Sequence, residues 1–285
     1  MIQSMTGFGK SVLQLPNKKI SVEIKSLNSK TLDLNTRIPS HYKEKELALR
    51  NMISRSLTRG KVDFSIFVET TGEETSSVIN KPVVTAYMAQ LKSIVPAAEL
   101  ELLKMALRMP DTLKTEREEI DQNEFKAIEE AVEQALNEIN DYRNAEGKAL
   151  ETELLQRTHN IINLLNRVIE MDPERIAGVR ERLQKGVAEL KENIDENRFE
   201  QELVYYIEKF DITEEKVRLD THLNYFLENL HSEDSNGKKL GFISQEMGRE
   251  INTIGSKSNY APMQQLVVQM KDELEKIKEQ LLNVL

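Results

Sequence analysis

The sequence predicts an α+β protein in which a small antiparallel sheet with a packed helix comes first and a long helical remainder follows. Two observations indicate strands, because apolar and polar residues alternate over 20–25 and again over 62–68. A period of two is typical of strands that bury one face against a core. The third observation concerns the later chain, where apolar residues recur at intervals of three and four from residue 123 onward, which is the helical period.

The strand-like segments of the N-terminal region have one helical segment between them. We expect strands within 4–15, at 20–25, near 31–37 and over 62–68, and a helix over 43–57 that Arg59-Gly60 ends. Another helix is expected near 82–94. Residues 1–122 are therefore predicted to form an N-terminal α+β region.

The remainder divides into a long helical middle region, 123–200, and a C-terminal helical domain, 201–285. Within the middle region, Asp172-Pro173 predicts the start of a new helix, since aspartate favours the cap and proline the first helical position. The last helix follows Pro262 and carries a narrow apolar seam at alternating spacings of three and four. The seam could pack inside the domain or against another subunit; it consists of Val267, Met270, Leu274, Ile277, Leu281 and Val284.

Composition excludes several classes of function. The chain of 285 residues has no cysteine, which removes disulfides, cysteine-ligated zinc and a thiol nucleophile. It also has no apolar run near the ~18 residues that a membrane span needs. The amino terminus lacks the apolar segment of a secretory signal, so a cytoplasmic location without membrane attachment is expected.

Charge is unevenly distributed along the chain. The total is -9, yet residues 1–71 hold twelve lysines and arginines against six acidic residues, so this part carries +6 and the rest carries -15. Such asymmetry fits a basic binding face on an acidic scaffold. It also fits an ordinary preference of sheet edges for lysine and of long helices for glutamate.

The segment GKKLGFISQEMGREINTIGSKSN, residues 237–259, has more polar character than a core helix needs. On a helix, Glu246 and Glu250 lie one turn apart beside an apolar stripe formed by Leu240, Ile243, Met247, Ile251 and Ile254. Two neighbouring carboxylates repel unless a cation lies close, and hard cations such as Mg²⁺ or Mn²⁺ suit them. Neutralisation by Arg249 or Lys257 is the alternative.

A second polar pair lies on the predicted helix before this segment. Arg218 and His222 are one turn apart on the same face. His222 could bind a metal or act as a general acid or base, and Arg218 could hold a phosphate. The alternative for His222 is a structural histidine in the core. Common phosphate-loop, zinc-protease and serine-hydrolase motifs are absent from the sequence.

Several segments together resemble the YicC/YloC family of bacterial endoribonucleases, in order and over essentially the whole chain. They are MIQSMTGFGK, EIKSLNSK, RGKVDF, NAEGKAL and, most specifically, the segment at 237–259. The resemblance implies a cytoplasmic, metal-dependent endoribonuclease that uses Mn²⁺ or Mg²⁺ and works as a ring-like homohexamer that closes on RNA. Other RNA-degradation proteins are expected as further partners.

The resemblance also implies roles for particular residues. His222, Glu246 and Glu250 become the metal ligands or catalytic residues, and Arg249 joins this catalytic set because it can hold the scissile phosphate. Arg218 and Lys257 are further candidates for phosphate binding. Five basic residues of the N-terminal region are expected to line the RNA path: Lys25, Lys30, Arg37, Arg59 and Lys61. The alternative function is a non-catalytic RNA-binding adaptor that recruits other nucleases.

Three short segments depart from the pattern that this family usually shows. Asn28-Ser29-Lys30 replaces Asn-His-Arg, so a histidine is absent and an arginine becomes lysine. Leu240-Gly241-Phe242 replaces Leu-Asp-Phe, which removes a carboxylate near the expected site. Met247-Gly248-Arg249 replaces Met-Asn-Arg.

Overall fold

A computed structural model describes residues 2–71, 78–95, 97–114, 121–189, 196–232 and 236–285. Its strands are β1 (Gly7–Gln14), β2 (Lys18–Leu27), β3 (Leu32–Arg37), β4 (Gly60–Thr70), β5 (Val78–Ile79) and β6 (Leu113–Lys114). Its α-helices are α1 (Glu46–Ser56), α2 (Lys81–Ile94), α3 (Glu99–Ala106), α4 (Gln122–Glu189), α5 (Glu196–Lys209), α6 (Thr213–Leu230), α7 (Gly237–Lys257) and α8 (Ala261–Leu281). The predicted α+β class is confirmed.

The N-terminal sheet has the strand order β1-β2-β4-β3. The β1–β2 and β2–β4 pairs are antiparallel as predicted, whereas β3 pairs with β4 in parallel. The prediction of a wholly antiparallel sheet is therefore wrong for β3. The reason is the connection, since α1 carries the chain across the sheet between β3 and β4, and parallel neighbours need such a crossover.

One face of this sheet forms the N-terminal core. The alternating residues of β2 and β4 are buried as the period of two predicts; they include Ile20, Val22, Ile24, Val62 and Phe64. They pack in one cluster with apolar residues of α1 and with the first part of α4, from Ile128 to Ile139. The sheet thus binds the beginning of the long helix.

Helix α4 continues for 68 residues and passes through Pro173. The predicted helix start at Asp172-Pro173 is wrong, because contacts with another helix hold Asp172 inside α4. Its carboxylate accepts hydrogen bonds from Arg175 Nε at 2.8 Å and from Lys216 Nζ at 2.6 Å. Proline costs the helix one backbone hydrogen bond, and tertiary contacts of this kind can override such a local signal.

A second core joins the later part of α4 to α6, α7 and α8. The predicted apolar stripe of α7 and the seam of α8 are both buried there, from Leu240 to Ile254 and from Val267 to Val284. The α8 seam therefore packs within the chain, which decides between the two alternatives left by the sequence.

The two ends of the chain meet beside α7. Ser4 and Val284 form an isolated β-bridge, Met5 N–H donates to Asn283 O at 2.8 Å, and Gly237 N–H donates to Leu285 O at 2.9 Å. A Cβ at Gly237 would overlap the carbonyl group of Val284, so glycine permits this close approach. The contacts bring the N-terminal sheet close to the start of α7 and the end of α8.

Residues 78–114 form a small unit of β5, α2, α3 and β6 between the sheet and α4. Few of its apolar side chains are buried, among them Val84, Leu102 and Ala106. The predicted boundaries at 122 and 200 stay predictions, and α4 contributes to both main cores. No helix in the described part of the chain combines the length and apolar character that a bilayer span requires.

Candidate functional site

Three of the predicted catalytic residues, Glu246, Arg249 and Glu250, lie on α7. Its apolar stripe fixes the helix on the C-terminal core, so the opposite side faces outward. Glu246 and Arg249 form an ion pair there, with Arg249 Nη1 at 2.7 Å and 3.0 Å from the two carboxylate oxygens. Arg249 is largely exposed and Glu246 is half-buried. One of the two neutralisation partners considered from the sequence is therefore present.

Glu250 has a different environment from Glu246. Only 9% of the residue is exposed, and the structure gives its carboxylate no hydrogen bond or ion pair within the part of the chain it describes. Its carboxylate oxygens are not among the buried side-chain atoms that lack a hydrogen-bond partner, so they reach solvent. Among the described residues Glu250, unlike Glu246, has no cation paired with it, and its oxygens therefore stay available to a metal ion.

The predicted three-residue metal set is not assembled within this chain. Among the described residues, no three histidine, aspartate or glutamate side chains are grouped so that they could hold an ion. His222 lies half-buried on α6, and no hydrogen bond is recorded for its ring among those residues. The carboxylate oxygens of Glu246 and Glu250 suit a hard cation, but they supply only part of a coordination shell.

Lys257 and Arg218, the other predicted phosphate ligands, both pair with carboxylates of α6. Lys257 Nζ lies 2.7 Å from Glu215 Oε1, and Glu215 is only 6% exposed. Arg218 lies 2.5 Å from Glu214, and both of these side chains are exposed. The Lys257 ammonium group is therefore committed to a buried carboxylate, whereas the Arg218 pair is on the surface, where pairing is weak.

Lys257 belongs to a larger set of charges between α4, α6 and α7, which we call the ionic cluster; it consists of Asp172, Arg175, Asp211, Glu215, Lys216 and Lys257. Arg175 is 2.7 Å from Asp172 and its side chain is 1% exposed. The pKa of the Asp211 carboxyl is held below its ordinary value, chiefly by the hydrogen bond from the Thr213 hydroxyl, with a contribution from Lys216 and Lys257. Each cation of this cluster has a carboxylate beside it.

A cavity of about 690 Å³ lies where the N-terminal sheet meets α7 and α8, and we call it the basic cavity. Its polar lining comes from distant parts of the chain and includes Asn28, Lys30, Arg59, Lys238, Gln245 and Lys278. Met5, Leu281 and Val284 form its apolar floor and are themselves buried. None of the described residues that line it is acidic.

The cationic side chains of the basic cavity make few hydrogen bonds and ion pairs with the described residues. Arg59 Nε donates to Ser29 O at 2.8 Å, and Lys278 Nζ is 2.7 Å from the exposed Glu275. Lys30 and Lys238 are exposed, and neither has a hydrogen bond or ion pair with the residues that the structure describes. The cavity therefore offers several cationic donors to an anion.

Two of the five predicted basic RNA contacts, Lys30 and Arg59, line this cavity. The others do not line it: Lys25 lies 5.4 Å from the centre of the Phe8 ring, and Arg37 and Lys61 are exposed on β3 and β4. Sequence reasoning missed Lys238 and Lys278. The two adjacent lysines at the start of the polar segment could have indicated Lys238 as an anion-binding residue. Nothing in the sequence around Lys278 indicates such a role.

Two of the residues that depart from the expected family pattern line the basic cavity. They are Lys30 and Gly241, and an added Cβ at Gly241 would meet open space. Gly248 lies farther along α7 outside the lining, and a Cβ there would be 3.2 Å from Leu274 Cδ2 and 3.7 Å from Lys278 Nζ.

These features together define a class of protein: an α+β chain with a cationic cavity beside a helix that presents two carboxylates. Comparison with known proteins narrows the class. Residues 2–152 match the family model described as "Endoribonuclease YicC-like, N-terminal region", and residues 168–285 match "Endoribonuclease YicC-like, C-terminal".

Two curated relatives match along the whole of both chains. A Clostridioides difficile protein named "Probable endoribonuclease YicC" is 34% identical over 293 residues, and a Haemophilus influenzae protein of the same name is 29% identical over 287 residues. The chain therefore belongs to the YicC family, which confirms the resemblance found in the sequence.

Proposed function

We propose that this chain is an endoribonuclease that hydrolyses phosphodiester bonds within single-stranded or structured RNA. One observation carries the proposal: the basic cavity brings Lys30 and Arg59 of the N-terminal region together with Lys238 of α7. Cationic donors for a nucleic-acid backbone thus converge on the helix whose other side carries the candidate catalytic carboxylates Glu246 and Glu250. The names of the family models and of both relatives support the same activity.

RNA binding in this proposal depends mainly on phosphate groups. Lysine and arginine side chains that neutralise phosphates release counterions, so affinity should fall steeply as salt rises. The basic cavity has no aromatic residue in its lining. Because base recognition in single strands commonly uses stacking on aromatic rings, we expect weak sequence preference.

We further propose that a divalent cation, Mn²⁺ or Mg²⁺, takes part in the reaction. Glu250 and Glu246 would hold it through oxygen ligands, with His222 as the remaining predicted ligand. Such a cation stabilises the negative charge that develops at a phosphate and favours deprotonation of water. Arg249 orients the Glu246 carboxylate in the free protein and can donate to a phosphate oxygen.

A ring-like homohexamer in the cytoplasm completes the proposed function. The division of charge, +6 in residues 1–71 and -15 elsewhere, supports an arrangement with basic surfaces toward RNA and acidic helices toward solvent. Closed rings are also a common form of self-assembly. Other RNA-degradation proteins are proposed as partners of this assembly.

The second candidate function is a non-catalytic adaptor that binds RNA and recruits other nucleases. The Glu246–Arg249 ion pair favours it, because a carboxylate that already has a partner needs no metal. The basic cavity would bind RNA equally well in such an adaptor.

Cleavage of a long labelled RNA, with Mn²⁺ or with EDTA, separates the two functions. We expect cutting only with Mn²⁺, and a loss of about 100-fold or more in Glu250→Gln and Glu246→Gln, as is usual when a group that stabilises transition-state charge is removed. Glu99→Gln is the matched control, since Glu99 is an exposed glutamate of α3. Folding and oligomeric state are checked for each variant by circular dichroism and light scattering.

Equal cutting by all three variants would make the α7 carboxylates structural. Binding without any cutting by the parent protein would establish the adaptor instead.

A further inference from the structure

The basic cavity holds more positive charge than one internal phosphate of RNA requires. Four cationic side chains, Lys30, Arg59, Lys238 and Lys278, line it, and none of the described lining residues is acidic. Within the described part of the chain, only Lys278 of these four has a carboxylate partner, the exposed Glu275 outside the lining. An internal phosphodiester carries a single negative charge, whereas a terminal phosphate carries about -1.5 to -2 at pH 7 and has three acceptor oxygens.

Part of the cavity lining is buried apolar surface. Met5, Leu281 and Val284 belong to the lining and are only 2%, 7% and 0% exposed. Val284 also forms the bridge with Ser4. The cavity therefore combines cationic side chains with apolar surface that a nucleotide could contact.

The volume and surface chemistry suit one phosphorylated nucleotide. At about 690 Å³ the cavity lies within the ~300–1,000 Å³ typical of small-molecule sites. Apolar atoms of Leu281 and Leu282 offer contact to a sugar, while the amides of Asn28 and Gln245 add hydrogen-bonding groups. Asn28 Nδ2 already donates to Leu282 O at 2.5 Å, which fixes this amide at the cavity wall.

We propose that the basic cavity binds the phosphorylated terminal nucleotide of an RNA chain, so that an end phosphate strengthens binding. The inference rests on the proposed function for its substrate and adds a preference for one kind of RNA end. The adjoining strand would leave the cavity past Lys238 and Gln245 of α7, which line it. Glu246 and Glu250 lie outside the lining, so the inference concerns binding of the RNA end and not the position of the bond that is cut.

The test is a titration of six-nucleotide single-stranded RNAs, followed by fluorescence anisotropy in EDTA, where metal-dependent cutting is suppressed. One pair of oligonucleotides differs only in a phosphate or hydroxyl at the 5′ end, and a second pair differs only at the 3′ end, with the dye on the opposite end. In the parent protein we expect about tenfold tighter binding of the phosphorylated member of one pair, as charge-assisted hydrogen bonds would produce.

Two neighbouring lysines provide the matched variants. Lys238→Gln removes a cation of the basic cavity, and the preference for the phosphorylated end should fall below about threefold. Lys239→Gln removes the same charge one residue away, where the ammonium group lies 5.0 Å from the centre of the Tyr225 ring, and the preference should persist.

Equal affinity for phosphorylated and unphosphorylated ends in the parent protein would overturn the inference, and so would equal effects of the two variants. Displacement of the oligonucleotide by adenosine 5′-monophosphate at matching concentration would assign the cavity to free nucleotides instead of RNA ends. If the protein prefers a phosphorylated end but does not cleave long RNA in Mn²⁺, only the proposed endoribonuclease activity is refuted. If it cleaves long RNA but shows no preference for a phosphorylated end, only the proposed role of the basic cavity is refuted.

Discussion

The basic cavity and the ionic cluster are both rich in cations, but the two regions differ in whether those cations are paired with carboxylates. In the ionic cluster, Arg175 and Lys216 share the Asp172 carboxylate and Lys257 pairs with Glu215. In the basic cavity, no acidic residue is found among the lining residues that the structure describes. Asp172, Arg175 and Glu215 of the cluster are buried, whereas Lys30 and Lys238 of the cavity are exposed to solvent.

The difference indicates which cations hold the fold and which are available to a ligand. A buried ion needs a partner of opposite charge, and removal of that partner leaves an uncompensated charge in the interior. An exposed lysine is solvated and can exchange water for a phosphate oxygen at little cost. We therefore expect stability to depend on the ionic cluster and RNA affinity to depend on the basic cavity.

The largest effect on stability is expected for Asp172→Asn. The change removes the negative charge that Arg175 and Lys216 share, and the Arg175 side chain is only 1% exposed. Breaking a buried pair of this kind costs about 3–5 kcal/mol in the free energy of unfolding. Urea denaturation followed by circular dichroism measures the loss, and a change below about 1 kcal/mol would contradict this account of the cluster.

Lys257→Met should lower the free energy of unfolding less, by about 2–3 kcal/mol. The Lys257 side chain is one-third exposed, so water can partly solvate the Glu215 carboxylate once the ammonium group is gone. The variant leaves Glu215 in the interior without its cation. Addition of Glu215→Gln should restore much of the lost stability, since the unpaired charge is then gone. If the single variant is instead fully stable but binds RNA poorly, Lys257 is a phosphate ligand, as the sequence suggested.

The smallest effect on stability, below about 0.5 kcal/mol, is expected for the double variant Lys30→Gln, Lys238→Gln, because both lysines are exposed. Its RNA binding should nevertheless change. For a single strand, loss of two phosphate contacts lowers the slope of log affinity against log salt by about 1.4. Titrations at several salt concentrations measure that slope, and an unchanged value would exclude both lysines from RNA contact.

Much of the fold could be predicted because its signals are local. The alternation in β2 and β4 and the apolar stripe of α7 depend on neighbouring residues, and both correspond to buried faces. The parallel pairing of β3 and the continuity of α4 through Pro173 could not be predicted, since each depends on contacts with distant elements.

The candidate site was less predictable than the fold for the same reason. Glu246, Arg249 and Glu250 were found as a group because they lie on one helix. The basic cavity combines Lys30 and Arg59 with Lys238 and Lys278, which are about 200 residues away in the chain. The family resemblance led to Lys257 as a phosphate ligand, and nothing in the sequence shows that Glu215 lies beside it.

Helix α4 contributes to both main cores, so its regular helical twist fixes how one core is rotated relative to the other. Its first part packs on the sheet and a later part packs on α6 and α8, with no break between them. One residue inserted between these parts, near Gly147, would turn the second core by about 100° and shift it by about 1.5 Å relative to the first. The number of residues of α4 between the two cores therefore sets the orientation of one core relative to the other. It thereby also sets the positions of the two parts of the chain that line the basic cavity.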